Sequence, residues 1–176
     1  PPGLVVLALA WGAVGAIGLT LLVDFLLSIA IDPRSPLRGD AFTSVVQAPL
    51  VEEFFKGLGV FLIYVFARRA FDGPVDGIVY GALVGAGFAF TENIQYFAVS
   101  LIEGGFEETT ATFFVRGILS PFAHVMFTSV TGFALGLAAR RGYGPTAALG
   151  PGLIGLAGAV ALHALWNGSA VFGDFI

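Results

Sequence analysis

The chain has 176 residues, 57% of them hydrophobic and only 11% charged, with a net charge of −4 at pH 7. A soluble domain carries about 25% charged residues, so this composition excludes an ordinary water-soluble domain, a disordered chain and a nucleic-acid binder. Lipid is the expected solvent. With no cysteine, neither a disulfide framework nor a thiolate metal site is open to it. Met126 is the only methionine, so the chain begins without an initiator and reads as part of a longer protein.

A membrane-crossing helix needs about 20 apolar residues. Five stretches reach that length, at 4–31, 41–67, 75–102, 113–139 and 147–172, and are expected to form one all-α integral-membrane domain over 1–176. The first ends at the polar turn Asp32-Pro33-Arg34-Ser35-Pro36. Arg68-Arg69 stops the second, Glu103-Gly104-Gly105 the third, and Arg140-Arg141-Gly142 the fourth. The fifth lies between Gly144-Pro145 and Gly173-Asp174. Both arginine pairs belong on one side, while the expected loop 103–108 carries three Glu and no basic residue. By the positive-inside rule the arginine pairs and the N-terminal end are cytoplasmic and the acidic loop is outside, in a cell (plasma) membrane. Gly77, Gly81 and Gly85, and then Gly132 and Gly136, recur at spacings that let helix backbones approach closely in lipid.

Ionisable side chains inside a bilayer are costly and mark pathways or sites. Setting aside loop and end charges leaves Glu52, Glu53 and Lys56 on the second span, Glu92 on the third, His124 on the fourth and His163 on the fifth. Asp24 and Arg116 are near enough to the outer ends to snorkel to the interface and are set aside. Counted from the outer ends of these soft-edged spans, Glu53 is about 12 residues deep, Glu92 about 10, His124 about 11 and His163 about 9. At about 1.5 Å per residue all four lie roughly 14–18 Å down. Taken singly, each side chain would more often be a packing or hydrogen-bonding group, as is expected of Asn93, Gln95, Ser120, Thr128 and Asn167. Their shared depth favours one site in the outer half of the bilayer.

Two His and one carboxylate make a common ligand set for a catalytic zinc, with water in the fourth position. A further carboxylate beside it could serve as general base, and Glu52-Glu53 supplies two candidates. Lys56 is four residues from Glu52 and three from Glu53, on the same helix face as either. Asn167, four residues after His163, could orient a ligand or donate to a developing oxyanion.

The motifs then show a resemblance. Glu52-Glu53-Phe54-Phe55-Lys56 fits EExxK, and Phe88-Ala89-Phe90-Thr91-Glu92-Asn93 fits FxxxEN. His124 opens an HxxFxxxxG stretch ending at Gly132, and His163 to Asn167 reads HxxxN. One motif per span, in this order from Val51 to Asn167, resembles the PrsW family of intramembrane proteases, related to the CAAX prenyl endopeptidases and to a scaffold subunit of gamma-secretase. The resemblance implies a membrane-embedded protease that cleaves a single-span anti-sigma factor on its extracytoplasmic side. It makes Glu52 and Glu53 the catalytic glutamates, and Glu92, His124 and His163 the metal positions. In the prenyl endopeptidases a His stands where this chain has Glu92.

The expectation is therefore a polytopic helix bundle that hydrolyses a membrane-anchored protein by metal-activated water. Glu92, His124 and His163 hold a divalent metal, Zn²⁺ by preference. Glu52, favoured over Glu53, is the base, and Asn167 assists. Three other readings stay open: a metal-free glutamate protease, a proton-coupled carrier and a non-catalytic scaffold.

Overall fold

The computed structural model describes residues 1–119 and 122–172. Within them the chain forms helices and turns, and five long helices correspond to the five apolar stretches. Helix α1, Pro2–Ala30, contains a π-helical stretch at Trp11–Ala16. Helix α2 covers residues 40–66, with a π-helical stretch at Thr43–Gln47 ahead of the regular helix Ala48–Phe66. Helix α3, Pro74–Thr112, has Pro74 in its first turn, where the missing N–H costs no hydrogen bond. Helix α4 is Ala123–Arg140 and helix α5 is Pro145–Phe172.

The bundle carries its apolar side chains outward and its polar ones inward. Val14, Phe66, Ile102, Ile154 and Leu165 are 71–83% exposed, while Glu53, Lys56 and Thr128 are fully buried. That inversion suits a protein whose solvent is hydrocarbon, where a buried polar group needs partners inside the fold. By length and composition alone, Pro2–Ala30, Pro145–Val171 and the stretch that holds α3 and α4 reach membrane-crossing length. Helix α2 has the required length, but Glu52, Glu53 and Lys56 interrupt its apolar run.

Glycines set the α3–α4 contact. A Cβ built on Gly77 would stand 2.0 Å from the carbonyl oxygen of Gly132, and one on Gly132 equally close to that of Gly77. Two steps along, past Gly81 against Thr128, the backbone of His124 lies against Gly85. The small-residue stripe thus fixes the height at which His124 meets the centre of the bundle. Helix α4 ends at Gly142, whose φ of 70° suits glycine; the Gly142 and Tyr143 N–H groups donate back to Ala139 and Ala138. At the same end Tyr64 Oη donates to the Tyr143 carbonyl at 2.6 Å, and Arg68 reaches that oxygen too. The turns bearing the two arginine pairs therefore meet at one end of the bundle.

Two stretches differ from expectation. Residues 103–108 are not an open loop but helix, kinked at Gly105 (φ 69°, ψ −157°). The fourth stretch is not one straight helix either. Phe113–Leu119 is π-helical and continues from α3, and the regular helix starts only at Ala123. Apolar composition alone cannot register such a break, because helix on both sides of it is equally apolar. Ser120 lies outside the described residues, as do Gly173 and Asp174.

Candidate active site

Successive helix residues point about 100° apart, so Glu52 and Glu53 cannot face the same way. Glu52 lines a polar cavity of about 330 Å³; Glu53 lies behind it, fully buried. Both oxygens of Glu53 are occupied. Oε1 accepts from Lys56 Nζ at 2.6 Å and faces His163 Nδ1 at 3.1 Å, and Oε2 accepts from Thr128 Oγ1 at 3.0 Å. Lys56 Nζ also stands 3.5 Å from Glu52 Oε2 and 2.9 Å from His124 Nδ1, and 4.3 Å above the Phe88 ring. One lysine thus compensates two carboxylates held away from bulk water.

The network orders the imidazoles. An ammonium can only donate, so His124 Nδ1 accepts from Lys56, and Nε2 carries the proton donated to Glu92 Oε2 at 3.0 Å. His163 Nδ1–H donates to Glu53, which leaves its Nε2 as an acceptor 4.0 Å from Glu52 Oε2. The two rings meet edge to face with centroids 5.0 Å apart, and Phe127 stacks on His163 at 4.9 Å.

Of the expected residues, Glu52, His124 and His163 each present a donor atom within 4.8 Å of the others. Chemically this set fits a divalent metal: one carboxylate, two imidazoles, and a carboxylate behind one imidazole to fix its tautomer. Glu52 Oε2 lies 3.9 Å from His124 Nδ1, the nitrogen that Lys56 engages. Glu92 is on the other side of His124, lining the cavity and bonded to Arg116. Asn167 also lines the cavity, and its Nδ2 donates to the Ser44 carbonyl at 2.8 Å.

Two residues set aside as interfacial belong here instead. Arg116 pairs with Glu92, donates through Nε to Asn93 Oδ1 at 3.0 Å and lies 3.6 Å over the Tyr96 ring. Asp24 accepts from Gln47 at 3.0 Å at the cavity wall. Arg116 carried a signal that could have found it. Unlike Arg34 and Arg38, which share a turn with two Asp, it falls inside an apolar stretch, where an arginine calls for a carboxylate within the protein.

Fold and site together define a polytopic membrane protein whose few ionisable side chains converge on one buried carboxylate–imidazole centre. The PrsW family of intramembrane metalloproteases matches residues 1–176, and the chain belongs to this family. The Protease PrsW of Geobacillus kaustophilus is 39% identical over 98 residues, 56% of this chain and 40% of that protein. That of Bacillus subtilis is 39% identical over 100 residues, 57% of this chain and 42% of its own length. That of Oceanobacillus iheyensis is 38% identical over 92 residues, 52% and 39% respectively. The chain thus spans about two-fifths of the length of the curated relatives it matches. No solved structure matches it. The family resemblance carried by the four motifs is thereby borne out.

Proposed function

We infer that the chain forms the core of an intramembrane endopeptidase that hydrolyses a peptide bond of a single-span membrane protein. An anti-sigma factor is the substrate class that the motif resemblance implies. The observation that carries the reading is the convergence of Glu52, His124 and His163 within 4.8 Å, buried, on a polar cavity inside an outwardly apolar bundle. These three would hold a divalent metal once the Lys56 ammonium gives up the His124 Nδ1 lone pair, and imidazole with carboxylate favours zinc. A metal bound there supplies Lewis acidity, which lowers the pKa of water and polarises the scissile carbonyl.

In this assignment Glu52 takes the ligand role expected of Glu92, and Glu92 is the free carboxylate. Glu92 accepts a proton from water as its oxygen adds to the peptide carbonyl. It then returns that proton to the amide nitrogen as the C–N bond breaks. Arg116 and His124 hold Glu92 in place for both transfers. Glu53 is a positioning residue that fixes the His163 tautomer. Asn167 has one N–H engaged by Ser44 and a second for the oxyanion. The arginine-pair turns face the cytoplasm and the cavity opens to the outer side, in agreement with the positive-inside rule.

One observation favours a second reading. The Lys56 ammonium, 2.9 Å from His124 and 3.5 Å from Glu52, supplies positive charge where a metal would. A metal-free route would use Glu52 as the base. Reconstitution with a single-span substrate tests the activity itself: the parent chain cleaves and Glu52→Gln does not. Cleavage by Glu52→Gln at the parent rate would refute both routes.

A further inference from the structure

A second cavity, again of about 330 Å³, opens on the centre from the flank of the bundle. It shares Asp24, Ala48, Glu52, Glu92 and Tyr96 with the first, so the same two carboxylates are reached from two directions. The two approaches differ in chemistry. The first is walled by polar groups such as Thr43, Gln47, Arg116 and Asn167. Outside the shared residues, the flank opening is walled by Ile17, Leu21 and Val99, with Thr20 and Gln95 between them.

Its geometry follows from how α1 and α3 pack. Early in α1 the two backbones touch: a Cβ on Gly12 would stand 2.0 Å from the Val84 carbonyl oxygen, and one on Gly87 2.2 Å from that of Leu9. Thr91 Oγ1 closes this contact by donating to Ala13 O at 2.8 Å. Beyond it lies the opening. Helix α1 lines it with Ile17, Thr20, Leu21 and Asp24, and α3 with Glu92, Gln95, Tyr96 and Val99. Each set follows the i, i+3, i+4, i+7 spacing of a single helix face, so two parallel stripes flank one groove. Leu21 and Val99 are 48% and 50% exposed, as apolar side chains on the outer face of a membrane-spanning bundle can be.

Thr20 points to what the groove takes. It is 5% exposed, and its hydroxyl, like that of Thr131 in the depression between α2, α4 and α5, has no hydrogen-bond partner among the described residues; only the groove at Thr20 also reaches Glu52 and Glu92. In hydrocarbon an unmade hydrogen bond is expensive, and a helical threonine can bond its own i−4 carbonyl. A buried hydroxyl left open on a groove wall is therefore placed for a polar group that arrives. A peptide bond can be hydrolysed only where the substrate helix is unwound, and unwound backbone at membrane depth needs polar partners from protein.

Resting on the endopeptidase reading above, we propose that the α1–α3 groove is the lateral entry and binding subsite for an extended segment of the substrate's membrane span. Thr20 is the hydrogen-bond partner of its backbone, and the polar cavity admits water. The absence of native cysteine makes cross-linking a direct test. The probe is a synthetic peptide with one apolar span of about 20 residues and one cysteine near its outer end, in phosphatidylcholine–phosphatidylglycerol vesicles. Single-cysteine chains Leu21→Cys and Val99→Cys should form disulfides with it at least fivefold faster than Leu153→Cys, which lines an apolar depression bounded by α2, α4 and α5. Thr20→Val should raise KM for the peptide severalfold, while Thr20→Ser restores it. Equal cross-linking at all three positions, or cross-linking concentrated at Leu153→Cys, overturns the groove. Cleavage by the parent chain without groove cross-links overturns the groove alone. Groove cross-links without any cleavage support the groove and remove the protease reading.

Discussion

Lys56→Met tests how the centre is held together. The lysine nitrogen is fully buried and contacts Glu53 at 2.6 Å, His124 at 2.9 Å and Glu52 at 3.5 Å. Methionine keeps most of the volume and the unbranched stem but removes the charge, leaving two buried carboxylates without that counter-ion. Removing one partner of a buried pair costs about 3–5 kcal/mol, because the surviving charge stays desolvated. Glu53 retains its bonds from Thr128 and His163, so the lower end, about 3 kcal/mol, is expected. Neutralising the partner as well, in Lys56→Met with Glu53→Gln, should recover at least half of that loss. Unfolding of the chelator-treated chain in mixed micelles with graded SDS, followed by circular dichroism, reads both values. A single variant within about 0.5 kcal/mol of the parent, the range of an unremarkable surface change, would refute the claim that Lys56 compensates the pair. A double variant as damaged as the single one would refute it too.

Other outcomes follow from the same packing. Gly132→Ala places a methyl 2.0 Å from the Gly77 carbonyl oxygen, so α3 and α4 must separate, at about 1–3 kcal/mol in the same unfolding assay. Gly18→Ala meets nothing within 4 Å and should stabilise α1 by up to about 1 kcal/mol. Thr128→Val removes the donor to the second oxygen of Glu53 and should cost about 1–3 kcal/mol. Asn167→Ala should lower kcat by about 10²–10³-fold with little change in KM, measured on a single-span substrate in proteoliposomes.

Much of this architecture is legible in the sequence, for identifiable reasons. Apolar runs of membrane length, stopped by Arg68-Arg69 and by Arg140-Arg141-Gly142, mark helix ends that the structure reproduces within a few residues. The glycines of α3 and α4 announce the close backbone contact. Glu52, Glu53, Lys56, Glu92, His124 and His163 stand out because an ionisable group in an apolar run is rare, and the structure gathers them into one bonded network. Depth counted along straight spans cannot see the kink at Gly105 or the break ahead of Ala123, and it carries no sign that Arg116 pairs with Glu92 across the cavity. Nor can a pair of adjacent glutamates say which one faces the cavity. That is decided by the rotation of α2 against α4 and α5, where Thr128 and His163 claim Glu53 and leave Glu52 toward the cavity.

The central claim is that Glu52, His124 and His163 hold a metal on which peptide hydrolysis depends. Metal content of the purified chain, measured alongside cleavage of a single-span substrate, addresses it most directly. One equivalent of divalent metal per chain is expected, with metal and cleavage lost together in His163→Ala and on chelation. No stoichiometric metal, together with cleavage indifferent to the chelator, would contradict it.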